Sequence, residues 1–360
     1  MKLKYLDCLM HNHFYESDYK YQEGWGTPVE NVDEGLLIDI CDYFYDRMLR
    51  ENIVNGADPI TWGPIVSSHK EFGLALVEKN IPYIHDTLKD LCKSPLTRGM
   101  FGGDLLYEFY KKNKYERNMF VFGVFDKLIS IAEASGLIPN FNPEDPHFTN
   151  IMYNKPEYFL DLIAKKYKFD ISAPKYAGGN LGIKTDYGLY CQRDMFALHL
   201  ALTVADKYED RNIRICEIGG GAGHLAFYLH RLGFRNLTIV DLPTISTIQM
   251  YFLGTNLCRY NGIVYLPTED FDGDYDLVIN ADSFIEMSKE TASNYLRLIK
   301  QNAKYLISLN QETGPHQFGE AGFRVCDIAD MKRINRQMSW IRKGWVYEEY
   351  LPDKASVVKR

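Results

Sequence analysis

The sequence predicts an α/β protein in which a mostly parallel sheet follows a mainly helical region. From residue 213 onward, strand-length apolar stretches alternate with helix-length amphipathic stretches, as in parallel sheets covered by helices on both faces. A glycine-rich turn at residues 219–223 joins the first of these strands to the first of these helices. We therefore expect a helical N-terminal domain, residues 1–185, that caps the substrate or forms a dimer contact, and a sheet domain, residues 186–360.

The N-terminal domain is expected to begin with an irregular arm, because residues 1–30 are polar and aromatic without a clear period. Prolines in residues 139–146 interrupt the helical spacing, since proline lacks a backbone donor and restricts the residue before it. Residues 173–182 are rich in glycine and are expected to form a loop. The helices predicted from apolar spacing cover residues 33–55, 70–94, 103–113, 117–135 and 155–168.

The sheet domain is expected to open with a helix that carries Met195, Leu198 and Leu202 on one face. Alternating strands and helices then follow up to residue 310, and the tail supplies candidates for closing antiparallel strands. The predicted strands are 213–218, 236–241, 262–266, 275–280 and 304–310, the predicted helices are 223–232, 243–254 and 289–301, and the tail candidates are Trp340-Ile341, Trp345-Val-Tyr347 and Ser356-Val-Val358.

The composition limits the classes of partner. The chain has 360 residues and a net charge of -7, which offers no general attraction to nucleic acid or to an anionic membrane. Its seven cysteines are scattered and form no C-x-x-C pair, so neither a disulfide framework nor a zinc site is expected. No segment approaches the ~20 uninterrupted apolar residues of a membrane span. We expect a cytoplasmic protein with no nucleic-acid partner and no membrane span.

The glycine turn fits two nucleotide-binding patterns. Read from Gly221, the residues Gly-Ala-Gly-His-Leu-Ala match the dinucleotide pattern G-x-G-x-x-G/A, and Asp241 follows 20 residues later, where an acid binds the ribose. Read from Glu217, the residues Glu-Ile-Gly219-Gly-Gly221-Ala-Gly223 match the acidic-x-G-x-G-x-G loop of S-adenosylmethionine (SAM)-dependent methyltransferases. The second pattern also accounts for Glu217, which suits a cationic ligand better than a pyrophosphate. A glycine turn without a ligand is the alternative.

Two further stretches fit the same cofactor. Asp241-Leu242-Pro243 resembles the Asp-Leu-Pro turn of class I small-molecule O-methyltransferases, in which the carboxylate binds both ribose hydroxyls. Asp241 could instead serve only as the N-cap of the next helix, whose first turn suits a proline. Asp270 and Phe271 follow the third strand, where this fold contacts adenine, although the acids around them also suit a solvated turn.

The end of the fourth strand carries the most specific motif, Asn280-Ala-Asp282-Ser-Phe-Ile-Glu286-Met. It shows no Asn-Pro-Pro-Tyr turn of the kind found in enzymes that methylate exocyclic base nitrogens. Together with Glu217–Gly223, Asp241-Leu-Pro and Leu309-Asn-Gln-Glu312, it resembles the sugar O-methyltransferases encoded among bacterial surface-polysaccharide genes. This resemblance covers residues 175–312. It implies a Rossmann-like class I methyltransferase sheet, SAM as cofactor and transfer to a sugar hydroxyl of a nucleotide sugar or surface glycan.

The resemblance also implies a set of site residues. Cofactor contacts are expected from Glu217, Gly219, Gly221, Gly223, Asp241, Leu242, Asp270, Phe271 and Asn280. Because the hydroxyl must lose its proton, a general base is expected, and the candidates are Asp282, Glu286, Glu312 and His316. Glu286 could instead begin a helix, and His316 could be a surface residue. Tyr176 and Arg193 are candidate substrate contacts in this small-molecule or glycan site.

Several alternatives stay open. The oxygen-rich set around Asp282 would suit Mg²⁺ or Ca²⁺, but sequence spacing does not decide this, and no metal is predicted. The protein could methylate a non-sugar small molecule, oxidise a substrate with a nicotinamide cofactor, or bind a cofactor without catalysis. A homo-oligomer is possible through the N-terminal domain. Titration with NAD and with S-adenosylhomocysteine (SAH) would separate the cofactor classes.

Overall fold

The computed structural model describes residues 21–26, 29, 32–50, 67–140, 154–259, 261–267, 270–271, 273–312 and 323–352. Within these ranges the strands form a three-stranded sheet and a seven-stranded sheet. The smaller sheet consists of Gln22–Trp25 (β1), Leu181–Thr185 (β2) and Gly188–Tyr190 (β3), with β2 antiparallel to both neighbours. No helix in the described part of the chain is long and apolar enough to cross a membrane.

The seven-stranded sheet has the order β6-β5-β4-β7-β8-β10-β9. The strands from β4 to β8 are parallel to their neighbours, whereas β10 runs antiparallel to both β8 and β9. The chain moves outward from β4 to β6 and then returns to the other side of β4, so the order reverses between β4 and β7. The strands are Ile215–Ile218 (β4), Leu237–Val240 (β5), Val264–Leu266 (β6), Leu277–Ala281 (β7), Leu306–Gln311 (β8), Lys332–Met338 (β9) and Trp345–Leu351 (β10).

Helices cover both faces of this sheet and form most of the N-terminal region. Side chains of β7 show the two-faced burial, because Leu277 and Ile279 join one hydrophobic cluster and Val278 joins another. The described helices are Glu34–Arg50 (α1), Lys70–Val77 (α2), Ile81–Leu88 (α3), Gly103–Lys112 (α4), Lys114–Ala134 (α5), Pro156–Tyr167 (α6), Gln192–Lys207 (α7), His224–Arg231 (α8), Pro243–Asn256 (α9), Lys289–Asn302 (α10) and Val325–Ile328 (α11). The predicted Rossmann-like α/β fold with a mainly helical N-terminal region is confirmed.

The N-terminal helices pack directly on the sheet domain. Helix α1 lies against α9, and Leu37 and Ile40 are buried in one cluster with Ile248. The Arg259 side chain donates two hydrogen bonds to the Asp39 carboxylate, of 2.5 and 2.8 Å, across the same contact. The division into two domains at residue 185 stays a prediction, because apolar contacts join the two parts.

Two predictions about loops are wrong. Residues 22–25 of the expected irregular arm form β1, and residues 181–182 of the expected glycine loop begin β2. The two segments lie about 160 residues apart in sequence, and each is too short to show a strand period by itself. Their pairing supplies the backbone hydrogen bonds that local sequence does not predict.

The tail forms the predicted closing antiparallel strands at different bounds. Trp345 begins β10, whereas Trp340 and Ile341 lie in the turn between β9 and β10 rather than in a strand. Ser356-Val-Val358 lies outside the described residues. Because β10 is antiparallel to β8, with Trp345 opposite Gln311, the turn before β10 lies at the carboxyl end of β8.

Candidate active site

A cavity of about 310 Å³ lies at the carboxyl ends of the parallel strands, where the strand order reverses. Open parallel sheets bind their ligands at this position. The walls come from the glycine turn after β4, the ends of β5, β7 and β8, helix α7, and the turn before β10. Among the predicted residues, those lining the cavity are Arg193, Glu217, Gly219, Gly221, Asp241, Leu242, Asp282 and Glu286.

The glycine turn has a left-handed backbone at three positions, which glycine adopts without strain. Gly219 has a φ of 71° and lies so close to Ser283 that a Cβ atom would overlap its side chain. Gly223 has a φ of 94°, is the N-cap of α8 and does not line the cavity. Gly221 has a φ of 56°, and apart from its chain neighbours no atom of the described residues lies within 4 Å of where its Cβ would stand. The turn therefore leaves room beside Gly221.

We call the side of the cavity beside the glycine turn and the end of β5 its first half, and the side beside the end of β7 and the turn before β10 its second half. Two carboxylates lie in the first half. Glu217 belongs to β4 and Asp241 directly follows β5. Glu217 is buried, and its Oε2 atom has no hydrogen-bond partner among the described residues. Burial and the charge of Asp241 raise the pKa of Glu217 to about 8. A buried carboxylate without a cation is costly, so this half of the cavity suits a ligand that brings positive charge or donors.

Asp241 is held by two donors of its own chain. Its Oδ1 accepts a hydrogen bond of 2.8 Å from the Leu242 backbone, and its Oδ2 accepts one of 2.7 Å from Gln249. Burial raises the pKa of Asp241 to about 7 in spite of these donors. Gln249 also donates to the Gly221 carbonyl at 2.9 Å, and it thereby joins the carboxylate to the glycine turn.

Asp282 directly follows β7 and lies in the second half of the cavity. Arg342 donates to its Oδ2 at 2.6 Å, and the Trp345 indole nitrogen donates to its Oδ1 at 2.5 Å. Nη1 of Arg193 lies 3.6 Å from Oδ2. Burial raises the pKa of Asp282, but the charges of Arg342 and Arg193 outweigh it, and the net pKa is lowered. Asp282 is therefore ionised at neutral pH.

Other predicted cofactor residues lie near the cavity without lining it. Asn280 is buried in β7, where its amide donates to the Ile218 carbonyl at 3.0 Å and its oxygen accepts from Asn310 at 3.0 Å. These bonds hold the ends of three neighbouring strands together. Asp270 forms an ion pair of 3.1 Å with Arg47, and Phe271 is buried. Their contacts with adenine stay predictions.

Tyr176 is also buried behind the cavity wall and does not line it. Its hydroxyl lies 3.2 Å from Cys191 Sγ and 3.1 Å from His224 Nε2. Cys191, His224 and Asp194 form a buried cluster whose ligand atoms are close enough to hold a metal ion. The tyrosine hydroxyl, however, already bridges Cys191 and His224. The arrangement is that of a satisfied polar network between α7 and α8. The substrate contact of Tyr176 stays a prediction.

The structure describes three of the four candidate bases, and two of these line the cavity. Asp282 and Glu286 line the cavity, and Glu286 lies close enough to Arg342 for its charge to raise the pKa of that arginine. Glu312 is outside the lining, where its Oε1 accepts a hydrogen bond of 2.6 Å from Arg336. His316 lies outside the described residues.

Sequence reasoning missed Gln249, Arg342 and Trp345. The stretch Trp340-Ile-Arg-Lys-Gly-Trp345 carries a turn signal, Lys343-Gly344, between two aromatic residues, and this signal predicts a hairpin. It does not predict that the hairpin turn reaches the cavity, because that depends on β10 pairing with β8. Gln249 lies two turns into α9, where nothing in the sequence marks it.

Comparisons with known proteins show similarity in fold. No protein-family model and no curated protein matches the chain. Among solved structures, magnesium protoporphyrin IX methyltransferase from Synechocystis PCC 6803 with bound SAM is 20% identical, over 44% of this chain and 79% of that chain, at a TM-score of 0.37. The 1,6-didemethyltoxoflavin-N1-methyltransferase of Burkholderia thailandensis is 16% identical over 43% and 78%, at a TM-score of 0.34. At these low scores, the strand order and register carry the fold assignment.

Proposed function

We propose that this protein is a SAM-dependent O-methyltransferase that acts on a sugar hydroxyl of a nucleotide sugar or surface glycan. The observation that carries the cofactor assignment is the pair of carboxylates at the ends of adjacent parallel strands, the buried Glu217 and the partly buried Asp241. Their raised pKa values mean that the chain itself does not supply the charge that would keep both ionised. A cationic ligand with hydroxyl donors supplies both.

SAM meets these requirements on each side. Its ammonium and sulfonium groups suit Glu217, and its ribose hydroxyls suit Asp241, whose carboxylate lines the cavity and accepts from Leu242 and Gln249. The open space at Gly221 allows the ligand to approach the backbone. A dinucleotide would place a pyrophosphate beside the buried Glu217, and this group brings no positive charge to offset the burial of that carboxylate. When bound, SAM supplies a methyl group on a sulfur leaving group.

The second half of the cavity suits a polyhydroxylated acceptor. Two aromatic side chains, Phe196 and Trp345, line it together with the polar groups of Arg193, Asp282 and Gln311. Aromatic side chains beside fixed donors and acceptors match the apolar parts and hydroxyls of a sugar ring, although Arg342 covers one face of each of these two aromatic rings. The motif resemblance to sugar O-methyltransferases supports the same acceptor class. A non-sugar hydroxyl compound remains the second candidate, because aromatic walls also suit a phenol.

A base must take the proton of the acceptor hydroxyl. Asp282 is a weak base, because Arg342 and Arg193 lower its pKa. Glu312 is bound to Arg336 outside the cavity lining. We assign the role to Glu286, the other acidic candidate that lines the cavity, because Arg342 interacts more weakly with Glu286 than with Asp282. The role of His316 stays a prediction outside the described residues.

Calorimetric titration with SAH and with NAD tests the cofactor class. We expect SAH to bind with a micromolar dissociation constant and NAD to show no binding; binding of NAD alone would refute the proposal. Incubation with labelled SAM and a panel of nucleotide sugars then tests the acceptor, with the methylated position read by NMR. Transfer to a panel of phenols but to no sugar would favour the second candidate.

A further inference from the structure

The backbone of Asp282 is held in an unusual conformation. Its φ of 71° lies in the left-handed region, which costs a non-glycine residue about 1 kcal/mol or more. Its backbone N–H donates to the Leu309 carbonyl at 3.0 Å, so β8 holds the conformation from the neighbouring strand. Left-handed non-glycine residues often lie at functional sites. The Asp282 side chain lines the cavity and is 22% exposed.

The turn before β10 orients the Asp282 carboxylate. Arg342 and Trp345 each donate to a different oxygen of it, at 2.6 and 2.5 Å. The Arg342 guanidinium lies between two rings, 4.2 Å from the Phe196 centroid and 3.9 Å from that of Trp345. With 9% exposure, Arg342 has little freedom to leave. An ionised carboxylate has about four acceptor positions, so both oxygens of Asp282 keep lone pairs for a ligand.

Arg193 places a donor beside this acceptor. Its Nη1 lies 3.6 Å from Asp282 Oδ2, which is beyond hydrogen-bond distance, while its Nη2 donates to the Gly99 carbonyl at 3.0 Å. The side chain is 40% exposed and lines the cavity. A donor and an acceptor at this separation match two hydroxyls on neighbouring carbons, one accepting and one donating. Two carboxylates, Asp282 and Glu286, and two guanidinium groups, Arg193 and Arg342, line this part of the cavity, and their balanced charges favour a neutral ring.

We propose that Asp282 and Arg193 bind a vicinal diol of the acceptor, and that Arg342 and Trp345 are positioning residues that hold Asp282 as its acceptor group. This inference rests on the proposed function and specifies the substrate: a neutral sugar ring with a free hydroxyl next to the methylated one. Asp282 orients the ring, while Glu286 takes the proton.

The diol contact is tested by removing the hydroxyl from the substrate and, separately, its partner side chains from the protein. The acceptor is the nucleotide sugar that yields product in the screen, compared with its analogue deoxygenated next to the methylated position. For wild type we expect the deoxygenation to lower kcat/KM about 100-fold, because buried partners are left unpaired. In Asp282→Ala and Arg193→Met the same deoxygenation should cost less than about fivefold. An unchanged penalty in both variants would overturn the proposal.

The positioning role is tested by pH. Arg342→Met should move the acid limb of the kcat/KM profile to higher pH, because Asp282 must be ionised and loses the cation that lowers its pKa. The control Arg214→Met removes an arginine that is ion-paired with Asp274 at 2.9 Å, outside the cavity lining, and should leave the limb unmoved. Glu286→Gln should lower kcat, and adding Arg342→Met to it should still move the remaining acid limb, because Asp282 is unchanged. Equal loss of activity at every pH in Arg342→Met would show a merely structural role.

A substrate-free measurement separates failure of this inference from failure of the proposed function. The lowered pKa of Asp282 contributes stability above the ordinary aspartate pKa, and this contribution is lost as pH falls through the folded-state pKa. Arg342→Met should therefore reduce the gain in unfolding free energy as pH rises from acid through the ordinary aspartate pKa of about 3.9, but not in an Asp282→Asn background. If this coupling is present and no sugar is methylated, the proposed function fails, and Arg342 still holds Asp282 as inferred. If the coupling is absent, the positioning role of Arg342 is refuted.

Discussion

The pKa values of the carboxylates in the two halves of the cavity are shifted in opposite directions. Glu217 and Asp241 face the glycine turn, and their pKa values are raised to about 8 and about 7. Asp282 stands at the end of a neighbouring strand, and its pKa is lowered. All three lie at the same edge of one sheet and line one cavity. Position in the fold therefore does not determine their protonation.

The difference comes from which molecule supplies the positive charge. Asp282 has Arg342 and Arg193 within 4 Å, both from its own chain. Glu217 has no hydrogen-bond partner at Oε2 among the described residues, and burial dominates its pKa. A carboxylate that is already paired with arginines of its own chain can orient an uncharged acceptor. A buried carboxylate without such a cation is stabilised most by a cationic ligand. The comparison thus assigns the cofactor to one half and the acceptor to the other.

The largest effect on this comparison is expected from Asp241→Ala. The variant loses an acceptor for the ribose hydroxyls, and charged hydrogen bonds contribute strongly in a buried site. We expect SAH affinity to fall at least about 100-fold in calorimetry, which corresponds to about 2.8 kcal/mol. Asp276→Asn, at the opposite end of the sheet and paired with Lys304, is the control and should bind SAH normally. Unchanged affinity in Asp241→Ala would remove the ribose contact from the proposal.

A smaller effect is expected from filling the space at Gly221. In Gly221→Ala the added Cβ meets no protein atom within 4 Å but occupies ligand space. Gly262→Ala is a matched control, because Gly262 also has a positive φ, of 78°, and open space, and it does not line the cavity. Both variants should lose about 1–2 kcal/mol of unfolding free energy through backbone strain. Only Gly221→Ala should weaken SAH binding, about tenfold or more; equal binding in both would place the cofactor elsewhere.

The smallest effect concerns pH and Glu217. Because its pKa is raised to about 8, the contribution of Glu217 to the stability of the unliganded protein is present at low pH and is lost as pH rises through about 8. A bound cation favours the ionised form, so SAM binding should release a proton near pH 7. Between about pH 6 and 7 the affinity should rise about tenfold through Glu217 alone.

Calorimetry at pH 7 in two buffers of different ionisation enthalpy measures this release. Glu217→Gln should release most of one proton less than wild type, and its SAM affinity should depend less on pH. Asp241 still titrates near pH 7 in this variant, so a residual release is expected. A release identical to that of wild type would show that Glu217 does not sense the charge of the cofactor.

Much of the fold could be predicted because its signals are local. The alternation after residue 213 predicted the five parallel strands, and the structure places them in one sheet within a few residues of the expected bounds. Strand β1 could not be predicted, because its four residues become a strand only by pairing with β2. The same limit applied to the tail, where Trp340 and Ile341 form a turn instead of a strand.

For the site, the sequence by itself predicted that Glu217, Asp241 and Asp282 lie at one edge of the sheet, but it did not separate them from Asp270 and Glu312, which do not line the cavity. Asp241 and Asp282 directly follow parallel strands and Glu217 stands near the end of another, and parallel strands end at one edge of the sheet. Only the tertiary structure decided their charge states. Gln249 on α9 and the pair Arg342 and Trp345 before β10 reach them through helix packing and strand pairing. Protonation depends on burial and on neighbours distant in sequence, and local residue patterns contain neither.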